Sequence, residues 1–161
     1  MAMPVALINA GTAGAYAGTG GLKTNFGLNV KFNKNNTNLQ GNVNIIVRQA
    51  DANGVVHVYQ IKSNSIDSLN ITSPAAGIYK ATFTSKANIT DVTNPTAPVS
   101  LGGNKFLQIT LCDRGEAGTQ DTIGIMLTDA GGGLLFSNTW NGITTIEQAL
   151  GSGGNLQVRP N

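Results

Sequence analysis

The densest group of candidate metal ligands in this 161-residue chain is the acidic loop that runs from residue 113 to residue 121. Asp113, Glu116 and Asp121 lie between two segments of alternating apolar residues, so the pattern gathers their carboxylates at one hairpin end. Ca²⁺ takes carboxylate and carbonyl oxygens as ligands, although this loop lacks the regular Asp-x-Asp-x-Asp spacing of dedicated calcium loops. The sequence therefore indicates either a bound Ca²⁺ or a hairpin loop in which Arg114 pairs with a neighbouring acid, and no other cofactor.

Four aromatic side chains are the candidate ligand-binding residues, namely Tyr16, Tyr59, Tyr79 and Trp140. Exposed aromatic rings on a β scaffold offer a flat apolar surface with a polar edge, which suits the stacking of sugar rings. Aromatic residues make up only 6% of the chain, so Tyr79 and Trp140 serve equally well as core or corner residues. Both interpretations stay open, and the exposure of the rings decides between them.

Catalytic chemistry has few candidate residues, because the chain contains one histidine, His57, and one cysteine, Cys112. A cysteine nucleophile needs the histidine within reach, and the Gly-x-Ser-x-Gly motif of α/β-hydrolases does not occur in the sequence. Nearly all carboxylates fall in predicted turns, which disfavours a glycosidase pair. One Cys and one His also exclude a disulfide framework and a Cys/His zinc site. The sequence predicts that the protein is not an enzyme.

Composition limits the partners of the chain. Charged residues make up 11% of it and the net charge is +2, against a typical charged fraction of ~25%. The electrostatic field of so weakly charged a chain is small, which predicts no nucleic-acid partner. The chain also has no long apolar run, which predicts no membrane insertion. Residues 1–8 lack the positive charge of a signal peptide. A surface of Asn, Thr, Gln, Ser and Gly instead favours a fragment of a larger extracellular or cell-surface protein.

The elements that must position these residues are β-strands, because apolar side chains recur at every second position. From Leu22 to Phe32 the even positions are mostly apolar and the odd positions mostly polar. The alternation predicts seven to nine strands, at Leu22–Phe32, Leu39–Val47, Val55–Ile61, Ile66–Ile71, Tyr79–Ile89, Leu107–Leu111, Ile123–Leu127, Leu134–Trp140 and Leu156–Val158. Turns are predicted at Asn33–Asn38, Asn53-Gly54 and Gly131–Gly133. Thr144–Glu147 fits a short helix and a strand equally well.

Consecutive strands with short connections predict an all-β fold, an antiparallel meander with one buried face. A sheet of this size hides its edges by closing as a β-sandwich or a barrel, and periodicity does not choose between them. We expect a single β domain over residues 21–159. Residues 1–20 are expected to form an N-terminal extension or linker with an edge strand.

Six segments in order resemble one bacterial module, and they are Gly21–Leu28, Leu39–Val43, Tyr59–Ser63, Ala81–Ala87, Asp113–Glu116 and Asp121–Ile125. The chain resembles the β-rich terminal module, often called the post-COAP domain, of large secreted or surface-displayed bacterial multidomain proteins. The resemblance covers nearly the whole chain. Ala117 stands where other members often have Pro, and Cys112 is an unusual thiol for the family.

The resemblance implies a non-catalytic extracellular domain, and it supplies no catalytic residues. Our leading hypothesis is accordingly a structural or interaction module at the end of a secreted or cell-surface bacterial protein. Its partners would be neighbouring domains of the same protein, and a glycan or another protein. The alternative hypothesis is a carbohydrate-binding module that uses exposed aromatic side chains.

Overall fold

A computed structural model describes residues 6–9, 14–16, 22–115, 120–150 and 157–158 of the chain. The described residues form nine β-strands and no helix, which confirms the all-β prediction. None of them therefore builds a helix that could span a membrane. The strands are β1 Ala6–Asn9, β2 Lys23–Phe32, β3 Leu39–Ala50, β4 Val56–Ala75, β5 Ile78–Asp91, β6 Val99–Asp113, β7 Thr122–Thr128, β8 Leu134–Ser137 and β9 Gln148–Ala149.

The strands make one antiparallel meander. Each strand from β1 to β8 pairs with the next along the chain, and β9 pairs with β7 on the edge that β8 also uses. β1, which lies inside the predicted N-terminal extension, pairs with β2 at one end of this order. The predicted meander is therefore confirmed, with β1 and β8 as its end strands.

Bulges explain where the predicted strand boundaries are wrong. The two strands predicted at Val55–Ile61 and Ile66–Ile71 are one 20-residue strand, β4. Its register against β5 shifts between Ser63 and Ser65 and again between Ile66 and Ser68. Each bulge adds an unpaired residue, which interrupts the period-two pattern without ending the strand. The interruption was interpreted as a turn between two strands.

The end of the chain also differs from the predicted pattern. β8 stops at Ser137 rather than at Trp140, and Thr144–Glu147 lies in neither a helix nor a named strand, although Thr145 forms a single bridge with Trp140. Of the strand predicted at Leu156–Val158, Leu156 lies outside the described residues. Val158 is buried but is not in a strand.

The core lies on one face of the sheet and consists of the apolar members of the alternating pattern. Val43, Ile45 and Val47 of β3 are all fully buried, while Asn42 and Asn44, on either side of Val43, are exposed. The same alternation continues across the central strands. Fully buried members there are Ile61, Ala81, Phe83, Ala87, Ile89, Leu107, Ile109, Leu111, Ile123, Ile125 and Leu127. The even-numbered positions of β5, β6 and β7 consequently form the outer face, on which the cavity described below opens.

The burial predicts how β2 and β3 respond to truncation. We expect Ile45→Ala to lower the free energy of unfolding by about 2–4 kcal/mol, since it removes a fully buried side chain. Lys31→Ala, at an exposed position of β2, should stay within about 0.5 kcal/mol of the parent. Urea titration measures both values, and equal costs at the two positions would contradict the assigned faces.

Candidate functional site

A cavity of about 480 Å³ opens on the outer face of β5, β6 and β7. Its base is formed by outward-facing residues of three adjacent strands, and its wall is the segment that follows β8. The lining residues are Lys80 of β5, Gln108 and Thr110 of β6, Gly124 and Met126 of β7, and Thr144, Thr145, Ile146 and Glu147 of the wall. Ligand sites in proteins typically have volumes of roughly 300–1,000 Å³, so this cavity has the size of a small-molecule site.

The wall of the cavity is a short loop, residues 139–147, that folds back over β7. The Asn141 side-chain oxygen accepts hydrogen bonds from the backbone N–H groups of Ile143 and Thr144, at 2.9 and 2.8 Å. The backbone N–H of Ile146 donates to the carbonyl of Thr139 at 2.8 Å. These bonds hold a tight turn of the kind that asparagine favours, so the wall has a defined position.

Gly124 leaves room between the wall and the sheet. A Cβ atom at Gly124 would lie 3.6 Å from the side chains of both Thr145 and Glu147. Any side chain longer than Ala would therefore project into the space between β7 and the wall. The glycine keeps the base of the cavity open.

An ion pair crosses the cavity from the base to the wall. Lys80 Nζ lies 3.2 Å from Glu147 Oε2, and the Thr122 hydroxyl donates to the other carboxylate oxygen at 3.1 Å. The Lys80 and Glu147 side chains are 42% and 27% exposed, so the pair contributes little to stability. It does place ammonium donors and carboxylate acceptors side by side in a site of no net charge.

A second groove, of about 400 Å³, lies on the outer face of β2 and β3. Gly27 is directly opposite Asn44 in the strand register, and Asn29 is opposite Asn42. The Gln60 side-chain amide of β4 donates to Asn44 Oδ1 at 3.0 Å. This groove presents a row of neutral amides on one sheet face.

The structure brings together two of the four predicted aromatic residues. The ring centroids of Tyr16 and Tyr59 are 5.0 Å apart, and Tyr59 is only 8% exposed. Tyr79 is partly buried against the core on β5. Trp140 is half-buried on the 139–147 loop, where it pairs with Thr145. The four side chains thus lie at three places in the fold, and Trp140 alone belongs to the cavity wall segment.

His57 and Cys112 lie far apart in the sheet. His57 Nε2 is 3.0 Å from Asp51 Oδ2, at the turn before β4. Tyr59, two residues on, is in register with Asp91, which pairs with Val99 at the start of β6. Cys112 lies opposite Lys80, which is eleven residues from Asp91 along β5, or roughly 35 Å at ~3.3 Å per residue. The described geometry does not join these two residues as a nucleophile and a base.

Two carboxylates near His57 have pKa values that are lowered from the ordinary value. The side-chain hydrogen bond from His57, followed by the backbone N–H of Val55, lowers the pKa of Asp51. The hydroxyl and backbone N–H of Thr93 lower the pKa of Asp91. In both cases the hydrogen bonds favour the charged form of the carboxyl.

The lowered pKa values predict a loss of stability in acid. A carboxyl with a lower pKa in the folded state binds protons more readily after unfolding. It therefore stabilises the folded state fully only at pH values above its ordinary pKa, near 4. That contribution disappears as the pH falls through the folded-state pKa values. We expect the urea midpoint to fall as the pH drops from 5 to about 2. Asp51→Asn should make this dependence shallower, and an identical slope would contradict the role of the Asp51–His57 bond.

The carboxylates of the acidic loop accept hydrogen bonds from backbone N–H groups of the loop and of Val158. Asp113 accepts hydrogen bonds from the N–H groups of Gly115 and Val158, at 3.1 and 2.9 Å. The buried Asp121 carboxylate accepts from the N–H of Arg114 at 2.9 Å. Glu116, the third predicted ligand, lies outside the described residues. Within the described part of the chain, no three His, Cys, Asp or Glu side chains lie close enough together to hold one metal ion.

Calcium binding at the loop stays a prediction, with a direct test. If the folded state binds Ca²⁺ through Asp113, Glu116 and Asp121, the melting temperature should rise with Ca²⁺ concentration. An unchanged melting curve between millimolar Ca²⁺ and excess chelator would leave the carboxylates as acceptors that hold the loop.

Comparisons of the chain with protein-family models, curated proteins and solved structures found no match.

Proposed function

We propose that this chain is a non-catalytic structural and interaction module of a larger secreted or cell-surface bacterial protein. The observation that supports the proposal best is the contrast between the two faces of the meander. The inner face is a continuous apolar core, whereas the outer face carries mainly neutral amides and hydroxyls. A rigid sheet with such a face presents a polar surface of low charge, which does not attract charged partners.

We also propose that the sheet closes on itself as a barrel-like or sandwich-like body. The backbone N–H of Tyr16 donates to the carbonyl of Leu135 in β8 at 2.8 Å, and that of Ala15 donates to Leu134 at 3.3 Å. Tyr16 also packs against Tyr59. The segment between β1 and β2 therefore contacts the opposite end of the strand order, which is the contact that closure requires.

Neighbouring domains of the parent protein are the proposed structural partners. Val55 and Val99 are 51% and 57% exposed. They lie at the same end of the sheet, since the start of β4 and the start of β6 both lie beside the end of β5. Apolar side chains at one end of a β module suit a contact between consecutive domains.

Antibodies against the recombinant chain test the extracellular part of this proposal. We expect them to label intact cells of the producing bacterium or to detect the parent protein in the culture medium. Detection only after lysis, together with a cytosolic marker, would overturn it.

Carbohydrate binding through aromatic side chains is the second candidate function. The position of Trp140 on the loop that walls the cavity favours it. Trp140→Ala should then weaken retention on a polysaccharide resin, whereas Tyr79→Ala, whose side chain packs against the core, should not. Equal retention of both variants would remove this candidate.

A further inference from the structure

We infer that the cavity between the outer face of β5–β7 and the 139–147 loop is a binding site for a neutral saccharide. The inference rests on the proposed function, because it gives the interaction module a specific ligand class. It differs from the aromatic hypothesis in using polar groups of the sheet as the ligand-binding residues.

The charge of the cavity favours a neutral ligand. Among the described residues that line it, Lys80 is the one cation and Glu147 the one anion, and they lie 3.2 Å apart. An anionic ligand would have to compete with Glu147 for the ammonium group, and a cationic ligand would have to compete with Lys80. The electrostatic field of the cavity therefore attracts neither anionic nor cationic ligands.

The polar groups that remain match a ligand with many hydroxyls. The amide of Gln108 and the hydroxyl of Thr110 each offer both a donor and an acceptor. Lys80 adds donors and Glu147 adds acceptors. A sugar hydroxyl donates one hydrogen bond and accepts others, so a lining that mixes both functions can satisfy it. Sites of this kind discriminate against analogues that lack the hydroxyl, because their buried polar groups are then left unpaired.

The apolar part of the lining matches the apolar C–H faces of a sugar ring. Met126 lies on the base and Ile146, which is 43% exposed, lies on the wall, with the open floor at Gly124 between strand and loop. A pyranose presents C–H groups on its faces and hydroxyls around its rim. Apolar contact on the faces with polar contact at the rim is the arrangement that the cavity provides.

The site is largely formed before a ligand arrives. Five of its lining residues lie on three hydrogen-bonded strands, and the wall is fixed by the Asn141 turn and the Ile146–Thr139 bond. Less conformational freedom is therefore lost on binding than at a flexible loop.

Titration of the ¹⁵N-labelled chain with neutral oligosaccharides tests the inference. The probes are cellohexaose, xylohexaose, mannohexaose and maltohexaose at millimolar concentration, with heparin oligosaccharides and a charged peptide as comparisons. We expect at least one neutral probe to shift the backbone amides of Thr110, Gly124 and Thr145. No shift with any neutral probe would overturn the inference, as would tighter binding of heparin or peptide, or shifts confined to the groove of Gly27 and Asn44.

Variants with matched controls locate the binding. Lys80→Met should weaken the probe about tenfold and Thr110→Val about fivefold, as expected for the loss of one charged and one neutral hydrogen bond. The controls are Lys86→Met on the same strand and Thr82→Val, which is directly opposite Thr110 in the register but outside the cavity. Thermal melts verify that all four variants are folded. Controls that lose as much affinity as the cavity variants would overturn the site.

The outcome separates this inference from the proposed function. A chain found on the cell surface that binds no neutral probe would contradict the saccharide site and leave the module proposal intact. A chain confined to the cytosol that binds a probe at Thr110 and Gly124 would support the saccharide site and contradict the extracellular module proposal. Release of reducing ends from a bound probe would overturn the non-catalytic proposal while supporting the site.

Discussion

Asn138→Ala is expected to lower the free energy of unfolding by about 3 kcal/mol, one of the largest effects of any polar substitution in this chain. Asn138 is fully buried directly after β8. Its Oδ1 accepts the backbone N–H of Ile125 at 2.7 Å, and its Nδ2 donates to the carbonyls of Ile123 and Ile146 at 3.2 and 3.3 Å. The side-chain amide thus acts as a peptide group on the edge of β7, in the gap between β8 and β9.

The cost follows from the groups that the substitution leaves behind. Without the amide, the buried N–H of Ile125 and the carbonyl of Ile123 lose their partner on this edge, and each unsatisfied group costs about 1–3 kcal/mol. Urea unfolding followed by circular dichroism measures the change. Asn42→Ala, at an exposed position of β3, is the control and should cost no more than about 0.5 kcal/mol. A cost at Asn138 as small as that of the control would contradict the bridging role.

Loss of the Asn138 bridge should also affect the cavity. The same amide holds the carbonyl of Ile146, a residue of the wall, against the edge of β7. The residue that completes the sheet edge therefore also positions one side of the candidate saccharide site. This connection explains how a loop on the surface keeps a fixed distance from the outer face of β7.

The alternating pattern was sufficient to predict most of the sheet and its core. Val43, Ile45 and Val47 recur at every second position between polar residues, and this local regularity is what buries them together. β4 was divided wrongly because bulges near Ser63 and Ser65 interrupt the pattern while the hydrogen-bonded ladder continues.

The candidate site was harder to predict because it depends on strand register and on a loop. Lys80 and Glu147 are 67 residues apart in the sequence, and three paired strands and the 139–147 loop bring them together. Glu147 gave only an ambiguous signal, as the last residue of the segment that fits a short helix and a strand equally well. The outward position of Lys80 was predictable, but nothing in its local sequence distinguishes it from Lys86 on the same strand.

The second large effect on stability is expected at a glycine. Two glycines with positive φ differ in whether an added side chain would clash with neighbouring atoms. Gly41 of β3 has a φ of +147°, and a Cβ there would lie 1.9 Å from the backbone oxygen of Asn29 in β2. Gly54, in the turn before β4, has a φ of +78° but nothing within 4 Å of the added atom. Gly41 therefore combines backbone strain with a steric clash, whereas Gly54 has strain alone.

Gly41→Ala is accordingly expected to lower the free energy of unfolding by more than about 3 kcal/mol, because β2 and β3 must separate locally to admit the methyl group. Gly54→Ala should cost only about 1–2 kcal/mol, the usual cost of a left-handed backbone for a residue with a Cβ. The two variants make the same chemical change at exposed positions, so lost burial does not enter the comparison. Urea titration of both, with hydrogen exchange of the backbone amides that join β2 to β3, measures where the ladder opens. Equal costs, or unchanged exchange in Gly41→Ala, would show that β2 and β3 do not approach each other as closely at this bend as the Asn29 contact requires.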